Sequence, residues 1–413
     1  MNAPRILIVT NGHLCRNPRP LKEADTLGRA GFDVTVLGVR NHAASEATDV
    51  ALLRTAPFRR LTVDLLPAAP SAPLGKRAAI FARRLRLRLA RLAATRLGWL
   101  SMESLGPASD LLRAATRHAA DLTLVHNEVP HWVGTRLLAQ GRRVAADIED
   151  WHSEDLPPSA RIGRPLELLR ANERTLLHRA AYTSTTSQAL ATGLHQRYGG
   201  RRPIVLSNSF PLQPDPHSGL PGEPPVFFWF SQTLGPGRGL EAFLAAWNRT
   251  RHPSRVVFLG APTSNYLTRL LDPLDPAHRA AVSFLPLVAP DALPALIARY
   301  DIGLALEQAD ILSRDLTITN KILQYLNAGL AVVASPTAGQ REVLARAPDA
   351  GLLLNFSDSA FAASHLDALL ADRVALARRQ AAARRAAQQI YSWEREAPVL
   401  LAAVAAALGA APL

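Results

Sequence analysis

ILIVTNGHLCRNPRPLKEADTLGRAGFDVTVLG, residues 6–38, decides the fold of this chain. An apolar strand from Ile6 to Thr10 runs into a polar loop, NGHLCRNPRP, then a helix-patterned segment, LKEADTLGRAG, and then a second strand, FDVTVLG. Strand, loop, helix and strand in that order make a βαβ unit with parallel strands. The order returns at VFFWFS (226–231), QTLGPGRG (232–239), LEAFLAAWNRT (240–250) and RVVFLG (255–260), which ends on Leu259-Gly260 as the first unit ends on Leu37-Gly38. The expected fold class is therefore α/β, with two Rossmann-like, doubly wound parallel-sheet domains.

Further strands are expected at LTLVH (122–126), RVAADIE (143–149), YTSTTS (182–187), RPIVLSN (202–208), DIGLALE (301–307) and LAVVAS (330–335). Between the halves, NSFPLQPDPHSGLPGEPP (208–225) carries six prolines and two glycines in eighteen residues, which excludes a helix or a central strand. The expected organisation is an N-terminal domain over 1–210, a Pro-rich linker over 211–225, a C-terminal domain over 226–390, and a terminal helix over 391–413 that packs back on the N-terminal domain. At 413 residues the chain is too long for one ordinary core.

With 48% apolar and 20% charged residues, neither a disordered nor a fibrous protein is expected. One cysteine, Cys15, excludes an internal disulfide framework and suits a reducing compartment. The apolar run near the N-terminus is short for an export signal, so a cytoplasmic protein is expected. The net charge of +13 attracts polyanions without choosing among them.

In doubly wound sheets, ligands bind beyond the carboxyl ends of the strands. In the second half that rule selects Gly235, Gly237, Arg238 and Gly239 after the strand at 226–231. Glycines let a phosphate approach the backbone, and an arginine fork clamps two of its oxygens. It also selects TNKILQYLNAG (319–329), where Asn320 and Lys321 begin a helix that stops at Gly329. Lys321 is one of three lysines among 47 basic residues, and it sits where unpaired first-turn amides carry partial positive charge. Gln324, three residues on, shares its helical face and offers an amide to ribose hydroxyls.

In the first half, Asn11 and Gly12 follow the first strand; His126, Asn127 and Glu128 follow another; Asp147, Glu149, Asp150 and His152 follow the next. Acid and imidazole groups at neighbouring strand ends suit proton transfer or hydroxyl recognition. Arg16 and Arg19 in the first loop suit either donor or acceptor phosphate contacts or plain surface charge, and the second reading is favoured. No spaced His/Cys set marks a metal site, and neither a metal nor another cofactor is expected.

Taken in order, ILIVTNGH, VHNEVP, DIEDWHSED, TTSQALATGL, VLSNSF, LGPGRGLEAF, TNKILQYLNAGLAVVAS and AGQREV resemble the GT-B glycosyltransferases, in particular the retaining, family-four-like bacterial enzymes of cell-surface polysaccharide and glycolipid assembly. The resemblance implies a nucleotide-sugar donor in the C-terminal domain, a glycan or lipid-linked acceptor mainly on the N-terminal domain, and reaction in the cleft between. It carries Arg238 and Lys321 over as diphosphate contacts and Gln324 as the ribose contact. The family's Glu-x7-Glu pair falls on Leu316 and Gln324, so both glutamates are absent. Where the family often has an acceptor-side histidine, this chain has Glu128, with His126 two residues before it. Glu128, His126, Lys321 and Arg238 are the expected catalytic residues; Asn11, Gly12, Glu149 and Asp150 are expected on the acceptor side.

A sugar-nucleotide epimerase, a phosphorylase and a non-catalytic nucleotide-sugar binder share this architecture. A nucleic-acid binder has only the net charge in its favour, because no aromatic-interleaved basic motif occurs. GKRAAIFARRLRLRLARLAATRLGWL (75–100) places Leu85, Leu89 and Leu92 on one helical stripe with Arg77, Arg84, Arg88 and Arg91 alongside. That pattern suits either a core-packing helix with solvated arginines or a helix lying on an anionic membrane surface.

Overall fold

The computed structural model describes residues 3–214, 223–263 and 265–409; residues 215–222, in the middle of the expected linker, lie outside them. The chain divides into two compact units: Met1–Thr186 with Leu190–Leu206 and Ala397–Leu413, and Ser187–Ala189 with Ser207–Glu396. The terminal helix Trp393–Leu408 thus begins in the second unit and ends in the first.

The first unit is built on β1 (Arg5–Val9), β2 (Asp33–Arg40), β3 (Arg59–Asp64), β4 (Leu122–His126), β5 (Val144–Asp147), β6 (Thr183–Thr185) and β7 (Ile204–Val205). They form one parallel sheet in the order β3-β2-β1-β4-β5-β6-β7. Ile6, Leu7, Ile8 and Val9 are all buried, as a strand covered on both faces requires. The order reverses direction at β1 and β4, and that switch point sets where loops can part to admit a ligand.

The second unit repeats the plan with β8 (Val226–Leu234), β9 (Arg255–Pro262), β10 (Val282–Leu285), β11 (Ile302–Ala305), β12 (Ala331–Ala334) and β13 (Gly351–Leu353), parallel in the order β10-β9-β8-β11-β12-β13. One face of this sheet buries Trp229, Phe243, Trp247 and Phe258, and the other buries Phe228, Ile322, Tyr325 and Leu326. Register slips between Phe230 and Thr233, so β8 runs three residues into the stretch expected as loop.

The first helix occupies Pro18–Arg29, three residues earlier than its apolar pattern suggests, because prolines are tolerated in a first turn where no amide is needed. That shift turns Arg19 from a loop residue into a helical one, and it is fully buried.

Candidate active site

In the second unit, two strand ends and a helix start supply the site. After β8 the chain turns through Gly235, Gly237 and Gly239; Gly237 and Gly239 are left-handed, with φ of 74° and 73°. A Cβ on Gly239 would lie 2.5 Å from both the Leu306 carbonyl oxygen and Gln308 Nε2. Glycine at 239 therefore lets the loop close over the end of β11. Arg238 is half-buried between those two left-handed glycines.

Beyond β11 stands Glu307, which the sequence reading passed over as the last residue of a strand. Lys321 Nζ donates to Glu307 Oε1 at 2.6 Å, and the two side chains are only 13% and 11% exposed. Burial opposes ionisation of the Glu307 carboxyl, but Lys321, with Arg238 and Arg314 adding to its effect, holds it below the usual carboxylate range. Lys321 also lies 5.6 Å from the centre of the Trp229 ring. The lysine is thus fixed between a carboxylate and an aromatic face.

Its helix, Asn320–Ala328, starts at Thr319 with no side-chain cap and ends at left-handed Gly329, as the sequence implies. Gln324 is 8% exposed, and its Oε1 has no hydrogen-bond partner among the described residues. An acceptor oxygen left unmatched in a nearly closed place is costly, and it has room only for a donor from outside the described side chains. Asn320, expected at the nucleotide, instead accepts a hydrogen bond from Asn208 Nδ2 at 2.8 Å. Leu316 closes the short helix Leu312–Leu316.

In the first unit, the ends of β1, β4 and β5 meet. Asn127 takes a left-handed φ of 73°, and its Oδ1 accepts from Thr10 Oγ1 at 3.0 Å and from the Asn11 amide at 3.3 Å. This fastens Asn11 and Gly12 to the start of the helix Glu128–Ala139. Glu128 is half-buried, 3.7 Å from His152 Nδ1; Asp155 lies 3.3 Å from the same nitrogen. Burial works against a charged His152, but Asp155 and Glu128 prevail and push it up to about 9. Burial and the adjacent Asp150 push Glu149 up to about 7, whereas Asp150 itself is exposed. Glu128, Glu149 and a cationic His152 are therefore the groups available for acid and base work.

His126, expected beside them, requires a correction. It is 1% exposed, with Nε2 3.0 Å from Glu23 and Nδ1 3.4 Å from Asp147. Burial disfavours its charge, yet Glu23 and Asp147 raise it to about 10, so the ring is an imidazolium throughout the neutral range. Arg19 holds Asp147 with two 2.6 Å hydrogen bonds and donates a third to the Leu206 carbonyl, and Ser184 Oγ donates to Asp147 as well. Behind them His131 donates to the Asp147 carbonyl; burial lowers it to about 3 and keeps it neutral. The cluster lies beneath the strand ends and fixes them, closed off from solvent.

Among the described residues, two groups bring metal-ligand atoms together, Glu23–His126–Asp147 and His13–Glu46–Asp49. In the first, Arg19 already claims the Asp147 oxygens. In the second, His13 donates from Nδ1 to Asp49 and accepts at Nε2 from the Asn41 and His42 amides. Both are polar networks that anchor loops.

Two doubly wound parallel sheets, with charged and glycine-rich loops at the carboxyl ends of their strands, constitute the GT-B glycosyltransferase fold. Residues 224–372, within the second unit, match the family of glycosyl transferases group 1, so this unit carries a domain of that family. Similar solved structures include HepE of Anabaena with UDP and glucose, at 17% identity and TM-score 0.68, covering 97% of this chain and 99% of that one. Sucrose-phosphate synthase of Thermosynechococcus elongatus aligns at 14% identity and TM-score 0.67, covering 95% and 96%. WaaG, a glycosyltransferase involved in lipopolysaccharide biosynthesis, aligns at 14% identity and TM-score 0.60, covering 96% and 99%. No curated protein matches the chain in sequence.

Proposed function

We propose that this protein transfers a sugar from a uridine diphosphate donor to a glycan or lipid-linked acceptor, with retention at the anomeric carbon. The observation that carries the reading is the Lys321–Glu307 pair beside Arg238, at an uncapped helix start inside the group 1 glycosyltransferase domain. Lys321, Arg238 and the first-turn amides face the diphosphate and offset the charge that grows on it as the glycosidic bond breaks. The unmatched Gln324 Oε1 accepts from a ribose hydroxyl. Retention follows from the resemblance: the leaving phosphate takes the acceptor proton on the same face of the sugar, and the chain supplies position and charge.

HepE is solved with UDP, so UDP is the first nucleotide to test. Purified protein is expected to melt higher with UDP than with GDP or ADP, since a ligand bound only by the folded state raises its stability. Labelled UDP-sugar should then lose its sugar only when an acceptor extract is added. Conversion of the donor sugar without acceptor would show an epimerase, and UDP-sugar binding with no turnover a binding protein.

Gln324→Glu provides a finer test. A carboxylate at 324 accepts from two ribose hydroxyls where the amide oxygen accepts through one atom, and Lys321 is three residues away on the same face. The variant is expected to bind UDP at least as tightly as the wild type by calorimetry. Tenfold weaker binding, about 1.4 kcal/mol, would assign the amide nitrogen a contact of its own.

A further inference from the structure

The helix Leu74–Leu92, a π-type turn over Ala93–Leu97 and left-handed Gly98 form a continuous arm on the first unit. Its inward stripe is Ile80, Leu87 and Ala94, all buried. The stripe that the sequence left open between core and surface is turned outward: Phe81 is 68% exposed, and Leu85, Leu89, Leu92 and Leu97 are exposed with it. Trp99 follows at 71%. Ile162, 79% exposed, joins them at the far end, where it shares a 180 Å³ pocket with Ala94 and Thr95. An apolar strip of this extent in contact with water marks an interaction surface.

The arginines divide in the same way. Arg83 and Arg86 reach Asp110, and Arg91 donates to the Ser104 carbonyl, so these three hold the arm to its domain. Arg77, Arg84, Arg88 and Arg96 are exposed and make no ion pair among the described residues. On the helix, Arg77, Arg84 and Arg88 run beside the outward apolar stripe at intervals of seven and four residues, and Arg96 follows in the turn. A second copy of the chain would bring these unpaired charges against their equivalents, and a nucleic acid offers the phenylalanine and leucines no apolar phase. An anionic bilayer accommodates both sets, apolar side chains at the acyl boundary and guanidinium groups among the phosphates.

We propose that this arm is a membrane-docking face that lies in the interface of bilayers containing anionic phospholipid. Phe81, Leu85, Leu89 and Trp99 enter the acyl boundary, and Arg77, Arg84 and Arg88 engage the headgroups. Among the described residues no helix is long and apolar enough to cross a membrane, so the attachment is peripheral and weakened by salt. The proposal stands independently of the sugar-transfer reading, because its measurements involve no nucleotide.

The test is co-sedimentation of the full chain with phosphatidylcholine vesicles, with and without phosphatidylglycerol, at low and high salt. The expected result is binding to the anionic vesicles only, reversed by salt. Arg77→Gln/Arg84→Gln/Arg88→Gln should weaken it roughly a hundredfold, at about fivefold per charge. Phe81→Ser/Leu85→Ser, which leaves every arginine in place, should weaken it at low salt. Circular dichroism checks that each variant is folded, and a blue shift of tryptophan emission on vesicles, lost in Trp99→Phe, reports insertion. Equal sedimentation with neutral vesicles, or wild-type binding by the arginine variant, overturns the proposal. So does a concentration-dependent dimer in light scattering that Phe81→Ser/Leu85→Ser abolishes, which would make a second copy the occupant.

Discussion

Lys321→Ala is expected to lower both stability and sugar transfer, and a second substitution separates the two effects. Removing the ammonium leaves the Glu307 carboxylate nearly buried without its 2.6 Å partner. Breaking a buried ion pair from one side costs about 3 kcal/mol, at the low end of the usual range because each group retains a little exposure. In Lys321→Ala/Glu307→Gln the orphaned charge is gone as well, and most of that loss should return in denaturant titrations. Activity should not return with it. A charge-assisted contact to the leaving diphosphate is worth about 2 kcal/mol, which lowers kcat/KM roughly thirtyfold in both the single and the double variant. Transfer at the wild-type rate by the double variant would reduce Lys321 to a counter-ion for Glu307.

The second large effect is expected at alkaline pH. His126 has a folded pKa of about 10, against about 6.5 for an unfolded histidine. A raised folded pKa means that its contribution is fully present below pH ~6.5 and is lost as pH climbs through about 10. The wild type should therefore lose roughly 4 kcal/mol over that window from this ring. His126→Phe should be destabilised at pH 6, because Glu23 and Asp147 are then left facing each other with Arg19 as their remaining close cation. Its stability should decline less toward pH 10, and the shallower slope that remains comes from His152, raised to about 9. Parallel stability-against-pH curves for wild type and variant would remove His126 from the account of this cluster.

Both predictions rest on pairings that join distant stretches of sequence. Glu307 and Lys321 are fourteen residues apart, on a strand end and a helix start, and the same rule that selected His126 applied to Glu307 as well. It was passed over because DIGLALE reads as one uninterrupted strand, whereas β11 stops at Ala305 and leaves the glutamate beyond it. His126 was selected correctly as a strand-end residue, but its depth was not legible. Burial at that position depends on Glu23 and Arg19, more than a hundred residues earlier.

The strands missed in the sequence, β3, β10 and β13, are all at sheet edges. Edge strands have a neighbour on one side only, and β3 is largely exposed, so arginine and threonine serve there and the apolar run that marks a central strand does not form. The central strands β1, β8 and β11 are covered on both faces and announce themselves.

The sequence by itself determined the fold class, the two repeats, the helix start at Lys321 and its stop at Gly329, because each depends on local periodicity, turn chemistry or chain reversal within about thirty residues. Tertiary structure decided which face of the arm Leu74–Leu92 meets water, which arginines are spent on Asp110, and which strand-end histidine stays charged out of reach. A helical stripe of leucines has the same period whether it faces a core or a bilayer, and an imidazole's charge is set by the carboxylates that folding brings beside it.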